Sequence, residues 1–396
     1  MGLAGLAQSN LVMFFLSMVG AGIPTAGMVY ARDMKGWRRF ARMNLFMGLA
    51  AACAQGALCL PPVAHFLFGK IIGLPPSIEG PAKEALWGTI PLQFLFFLRN
   101  PYQVALLLAR ESAKASAATI GRIVFTGLMT LSFTLAGWVG VTQAVVCLTL
   151  PVGLEVMGSM LLAAPYVRRM PQGEGQPPSM TQLIRFVLPL SAGGVILALS
   201  GPILGAFIAR AGEAERSLPV YYLAMGLTSP MAFSASRIQS VVLAFPPVGQ
   251  ASKSLASFAL RAGAVLGLIP LVFLLPPLAG AYFVSLQKLP QADLPLLRAT
   301  SLALVAVPLC VAMRSHKEGV AAWLRRPFGV LAGQVSHVLS LVVVSALALV
   351  AGLPGHLLGP TGLVAGNLAA AGTISIWINR GAHGDHSREH SGAPRG

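Results

Sequence analysis

The sequence predicts an all-α, polytopic membrane protein of about eleven transmembrane helices in two pseudo-symmetric lobes. Of its 396 residues, 55% are hydrophobic and 10% charged, and the mean hydropathy is +0.73. That composition is far from a soluble domain's. Apolar runs of spanning length recur throughout, bounded by charges, Gly and Pro. Residues of the first half also return in the second at a fixed offset of 215, Arg99 as Arg314 for one.

In chain order the expected spans are 3–31, 43–69, 86–110, 115–138, 142–166, 182–210, 218–246, 256–286, 295–324, 328–353 and 358–379. The first run stops at a basic cluster rather than at a small-residue cleavage site. That turn carries Arg32, Lys35, Arg38, Arg39 and Arg42, and alternate connections after it carry Arg110 and Lys114, Arg168 and Arg169, Lys253, Arg325 and Arg326, and Arg380. The intervening connections hold fewer cations or offset them with Glu. The net charge of +16 is therefore a positive-inside signal and implies no nucleic-acid partner. It puts the C-terminus in the cytoplasm, the N-terminus outside, and the chain in the cell (inner) membrane.

The Pro/Gly-rich stretch from Met170 divides the chain. The expected domains are an N-lobe of five helices (1–169), a cytoplasmic linker (170–181), a C-lobe of six helices (182–380) and a disordered tail (381–396). Leu60-Pro61-Pro62 returns as Leu275-Pro276-Pro277, Arg110 as Arg325, and Arg122 is matched by His337. The offset spans an even number of crossings, so both copies point the same way, a parallel repeat with its site expected at mid-membrane between the halves. Span 182–210 has no counterpart in the first half. The expectation is a twelve-helix plan whose first span is lost, or a start placed too late.

Ionisable groups inside spans are expensive and mark substrate or ion paths. Arg314, His316, Lys317 and Glu318 sit within the ninth span, and Arg314 lies about 16 Å before Arg325, near the middle of a core about 30 Å thick. The others are Arg99, Arg122, Glu155, Arg237 and His337. Their excess is cationic, and guanidinium donors match carboxylate and phosphate. Arg99, Arg122, Arg237 and Arg314, with His316 and Lys317, are thus candidate ligands of an anion. Glu155, Glu318 and His337 are candidates for proton or sodium coupling. The plainer alternatives are an Arg122–Glu155 salt bridge and an Arg314–Glu318 pair one helical turn apart. Pro101, beside Arg99, is expected to break its helix locally. Cys53, Cys59, Cys147 and Cys310 lie in apolar segments without metal-type spacing, and the His-rich tail has no fixed metal geometry. No metal or cofactor is expected.

Pro308-x5-Arg314-x-His316-x2-Gly319 before a basic helix end, Leu218 onward to Ser240-Val-Val-Leu-Ala-Phe245, and Gly201 to Arg210 resemble the progressive ankylosis protein family. That family is a branch of the multidrug/oligosaccharidyl-lipid/polysaccharide exporter (MOP) superfamily. The resemblance covers most of residues 5–380. It departs at Gly201, where a basic residue is expected, and near Arg237, where the charge is displaced by about two positions. It implies two six-helix lobes, alternating access and export of a polyanion of the citrate, pyrophosphate or nucleotide class. It places Arg314, His316 and Gly319 on the family's motif. The expected function is a monomeric secondary transporter of a small anion in contact with membrane lipid. The alternatives are a flippase for lipid-linked pyrophosphates or oligosaccharides and a membrane-embedded acyltransferase using His316.

Overall fold

The computed structural model describes the backbone of residues 2–390 and the side chains of 5–380, and every regular element in it is helical. Unit 1 (1–191) and unit 2 (192–396) are separately compact. Unit 1 contains α1 (Gly2–Met18), α2 (Ile23–Tyr30), α3 (Met34–Leu58), α4 (Pro61–His65), α5 (Pro76–Gly88), α6 (Ile90–Leu108), α7 (Ser112–Leu135) and α8 (Val141–Arg168). Helix α9 (Met180–Ala198) crosses the division. Unit 2 continues with α10 (Ser200–Arg210), α11 (Ala214–Ser236), α12 (Ile238–Ala244), α13 (Gln250–Leu268), α14 (Pro276–Ala279), α15 (Leu294–Leu304), α16 (Ala306–Trp323), α17 (Pro327–Val350) and α18 (Gly355–His390).

Each of the eleven expected spans falls on one of these helices or on a broken pair. By length and composition, eight described segments suffice to cross a membrane, and nine if α3 and the 75° bent segment after it count as one span. The two others, around α6 and α11, are helical but too polar to qualify.

Proline explains two of the breaks. Leu60 and Leu275, each before a Pro-Pro pair, have φ, ψ of −57°, 133° and −59°, 135°. A residue preceding proline is pushed out of the helical region. The spans expected over 43–69 and 256–286 are therefore each split, the second also by a 3-10 turn at Ile269–Leu274. Pro101, by contrast, does not break α6, which runs unbroken from Ile90 to Leu108. Helix α5 fills a stretch read as a connection, and it hands over to α6 at Thr89, whose hydroxyl bonds back to the Ala85 carbonyl at 2.7 Å.

The first half of α9 meets α2. Gly22 N–H donates to Ser191 Oγ at 3.2 Å, and Tyr30 meets Phe186 edge-on. A Cβ on Gly22 would lie 2.6 Å from that of Leu190. The linker folds back on α3, where Met34 N–H donates to Pro171 O at 2.8 Å. Helix α18 runs on to His390, through part of the stretch expected to be disordered, while residues 391–396 lie outside the described residues.

The repeat is written in the backbone. After Leu60 and Leu275 come a short helix and a π-helical turn, Phe66–Ile71 and Gly280–Leu286. Phe68 and its equivalent Phe283 are both 0% exposed, each in its own unit's core. Arg110 and Arg325 have φ of 63° and 56°, and Gly137 and Gly352 have 71° and 74°. All four close a helix with paired capping bonds, such as Glu111 N–H to Leu106 O and Arg326 N–H to Ala321 O, the Schellman arrangement.

Candidate functional site

Glu155 is the centre of the unit 1 cluster. It projects from the middle of α8 with a side chain that is 0% exposed. A buried carboxylate is tolerated only when cations and hydrogen bonds compensate it, and here α6 and α7 supply both. Arg99 Nη1 donates to Glu155 Oε2 at 2.9 Å, and Arg122 Nε lies 3.1 Å from the same oxygen. Gln103 Nε2 and the Thr119 hydroxyl donate to Oε1 at 3.2 and 2.7 Å. Gln103 is one helical turn beyond Arg99 on α6, and Thr119 about one turn before Arg122 on α7, so two adjacent helix faces converge on one acid. The arrangement carries two cations and one anion.

Arg99 also reaches outward. With Asn100, Phe96 and Phe97 on α6 and Ser17 and Gly20 at the α1–α2 break, it lines a cavity of about 370 Å³. No residue of α7 is fully buried, although the helix carries Thr119 and Arg122 into the cluster.

Unit 2 builds the same layer at positions 215 residues on. Arg314 Nε lies 3.3 Å from Glu318 Oε1, and Gln334 Nε2 donates to that oxygen. His337, 1% exposed, packs against the backbone of Gly366. Arg314 stands where Arg99 stands, Glu318 at Gln103, Gln334 at Thr119, and His337 at Arg122. The position of Glu155 is Ala370. The acid has moved from one helix of the layer to another, and a histidine has replaced the second arginine.

Three of the four expected arginines are therefore each ion-paired inside their own unit, and the two pairings that the sequence offers as alternatives both form, with Arg99 joining the first. Arg237 is not part of the Arg314 layer. It lines a separate groove beside Ser234, Phe258 and Arg261. His316 is buried, and Lys317, next to it, is half-buried. Among the described residues no group of three or more His, Cys, Asp or Glu could hold a metal ion, and all four cysteines are free.

Sequence reasoning missed Gln103, Thr119, Gln334 and Arg261. The first three were within reach of the same offset that matched Arg99 with Arg314.

Two duplicated helical units, each with a buried arginine–carboxylate layer, define a polytopic membrane protein of two lobes. No family model and no curated relative matches the sequence. The fold, however, is that of solved MATE transporters of the MOP superfamily. A multidrug resistance MATE family transporter of that superfamily, in its outward-facing conformation, superposes with a TM-score of 0.75 at 15% identity, over 95% of this chain and 86% of that one. The Vibrio cholerae MATE transporter VcmN, as a point mutant, gives 0.73 at 16%, over 96% and 89%. A MOP superfamily transporter from Pyrococcus furiosus Vc1, for which reverse polarity of the binding pocket suggests a different function, gives 0.70 at 14%, over 95% and 86%.

Proposed function

We propose that this chain is a secondary transporter that moves a small organic or phosphorylated polyanion across the cell membrane by alternating access. The observation that carries the reading is the pair of guanidinium groups on Glu155, with Arg99 also lining a cavity. Paired guanidiniums are the donors that carboxylate and phosphate match best. A cationic drug would find the wrong sign of charge there. The resemblance to the progressive ankylosis family favours the same substrate class. Arg314, His316, Lys317 and Arg237 are further candidate ligands, and Glu318 and His337 further coupling groups. The basic connections face the cytoplasm and the carrier acts as a monomer.

The test is uptake of radiolabelled citrate and pyrophosphate by the purified protein in liposomes, with and without proton and sodium gradients. Saturable flux that falls at least tenfold in Arg99→Ala is the expected result. Flux of neither anion, or equal flux in the variant, overturns the proposal.

One observation favours a second reading, a flippase for lipid-linked pyrophosphates. An apolar groove of about 760 Å³ runs along one face of α17, lined by Leu331, Val335, Leu339 and Val343 and flanked by Trp377 of α18. Movement of a short-chain polyprenyl pyrophosphate between leaflets, without citrate flux, would decide for it.

A further inference from the structure

Glu155 occupies the place that a free anion would take. Its carboxylate receives two guanidiniums, an amide and a hydroxyl, the donor set a bound carboxylate or phosphate would need. Arg99 belongs to both this cluster and the cavity wall, so a ligand in the cavity and Glu155 compete for one guanidinium. We infer that Glu155 is a tethered counter-anion in the substrate's own site, and that a proton must neutralise it before a free anion takes its donors, so that proton and anion cross together. The inference rests on the anion-transport reading and adds to it a coupling partner and a sign.

Charge sets the stoichiometry. With Glu155 ionised, the two arginines and one acid sum to one positive charge. A proton from the aqueous phase bound to a Glu155 oxygen leaves two, and one anionic group of the substrate restores the first value. A charge left unbalanced away from water is expensive, so the bare protonated form and the doubly anionic form are both disfavoured. The loaded site carries substrate and proton, and the empty site carries neither.

Four helices pack on α8. α6 and α7 present Arg99 and Arg122, and α1 contains no charged residue. Lys114, the other cation on α7, is held by Glu111 and Tyr166, about 16 Å along α8 from Glu155 at 1.5 Å per residue. The charges of α5 lie near the N-terminal end of α8, where Glu84 accepts from Thr142, about 20 Å along the helix from Glu155 at 1.5 Å per residue.

The test uses wild-type protein in liposomes holding a pH-sensitive dye, driven by an inward citrate gradient at alkaline pH, where citrate is fully ionised. The expected result is lumen acidification of about one proton per citrate, for the one citrate carboxylate that takes the place of Glu155 while its other two stay in the water of the cavity, with a smaller ratio in Glu155→Gln. Citrate entry with no acidification, or the same ratio in the variant, overturns the inference. If wild-type protein carries neither citrate nor pyrophosphate, the transport reading fails and a binding measurement decides the inference alone. Glu155→Ala should then gain several degrees of thermal stability from acetate, and wild type should gain none. Equal shifts, or a variant that stays unfolded with acetate and without, would sink it.

Discussion

Three hydrogen-bond donors and a second guanidinium on one carboxylate make losing Glu155 unlike losing either arginine. Glu155→Ala strands two half-buried cations and should cost about 2–4 kcal/mol, somewhat less than a fully buried pair robbed of one partner because both guanidiniums keep some contact with water. Arg122→Ala leaves the acid with its three hydrogen-bond donors, Arg99, Gln103 and Thr119, removes only a part-exposed ion pair, and should cost about 1 kcal/mol. Thermal unfolding of the purified protein orders the two. The unit 2 layer supplies a sharper trial. There the acid sits at the position of Gln103, so Gln103→Glu combined with Glu155→Ala should recover most of the stability that Glu155→Ala alone loses. A double variant no more stable than the single would mean that the two layers are not equivalent. Arg99, Arg122 and Glu155 were legible in the sequence because charge inside an apolar span is rare. Gln103 and Thr119 were not, because an uncharged polar residue in a span is ordinary until the facing helix is known.

Helices in each unit meet through glycines at equivalent positions. A Cβ on Gly48 would stand 2.8 Å from that of Phe97, and one on Gly263 would stand 2.7 Å from that of Ala312, the residue equivalent to Phe97. Gly48→Leu and Gly263→Leu should each destabilise by about 1–3 kcal/mol or more through overpacking. Gly121→Ala, with nothing within 4 Å, should be neutral or stabilising by up to about 1 kcal/mol. Size-exclusion profiles and melting temperatures of the three separate these outcomes. On α5, hydrogen bonds from Lys83 and then His65 hold the Glu79 carboxyl below its ordinary range. A depressed folded value contributes stability that is present above the unfolded value and lost as pH falls through the folded one. Wild type should therefore melt higher than Glu79→Gln near neutrality, and the gap should close in acid. The element breaks divided by cause. Pro61-Pro62 and Pro276-Pro277 announce theirs, but the π-helical turns after them have no comparable mark.

At the scale of the molecule, the alternation of basic connections and the offset of 215 together revealed a duplicated membrane protein before any coordinate did. Both are long-range regularities, which a single ambiguous boundary cannot erase. The contact of α9 with α2 was not legible, since it joins Ser191 to Gly22 and Phe186 to Tyr30 across most of the first half of the chain. The proposed orientation has a direct test. A single cysteine at position 140, in a chain freed of its four natural ones, should react with an impermeant maleimide on intact cells. One at position 326 should react only after permeabilisation. The reverse pattern would invert the topology.

Helix α7 gives up none of its residues completely to the interior, yet it lends the cluster a hydroxyl and a guanidinium. Such a helix rests on α8 through one face only and is moored there by charge as well as by fit, so whatever discharges the acid loosens the mooring. Amide exchange along 112–135 should accordingly quicken in Glu155→Gln well ahead of exchange in α3. The same helix would then be the first part of the lobe to swing when its cargo arrives.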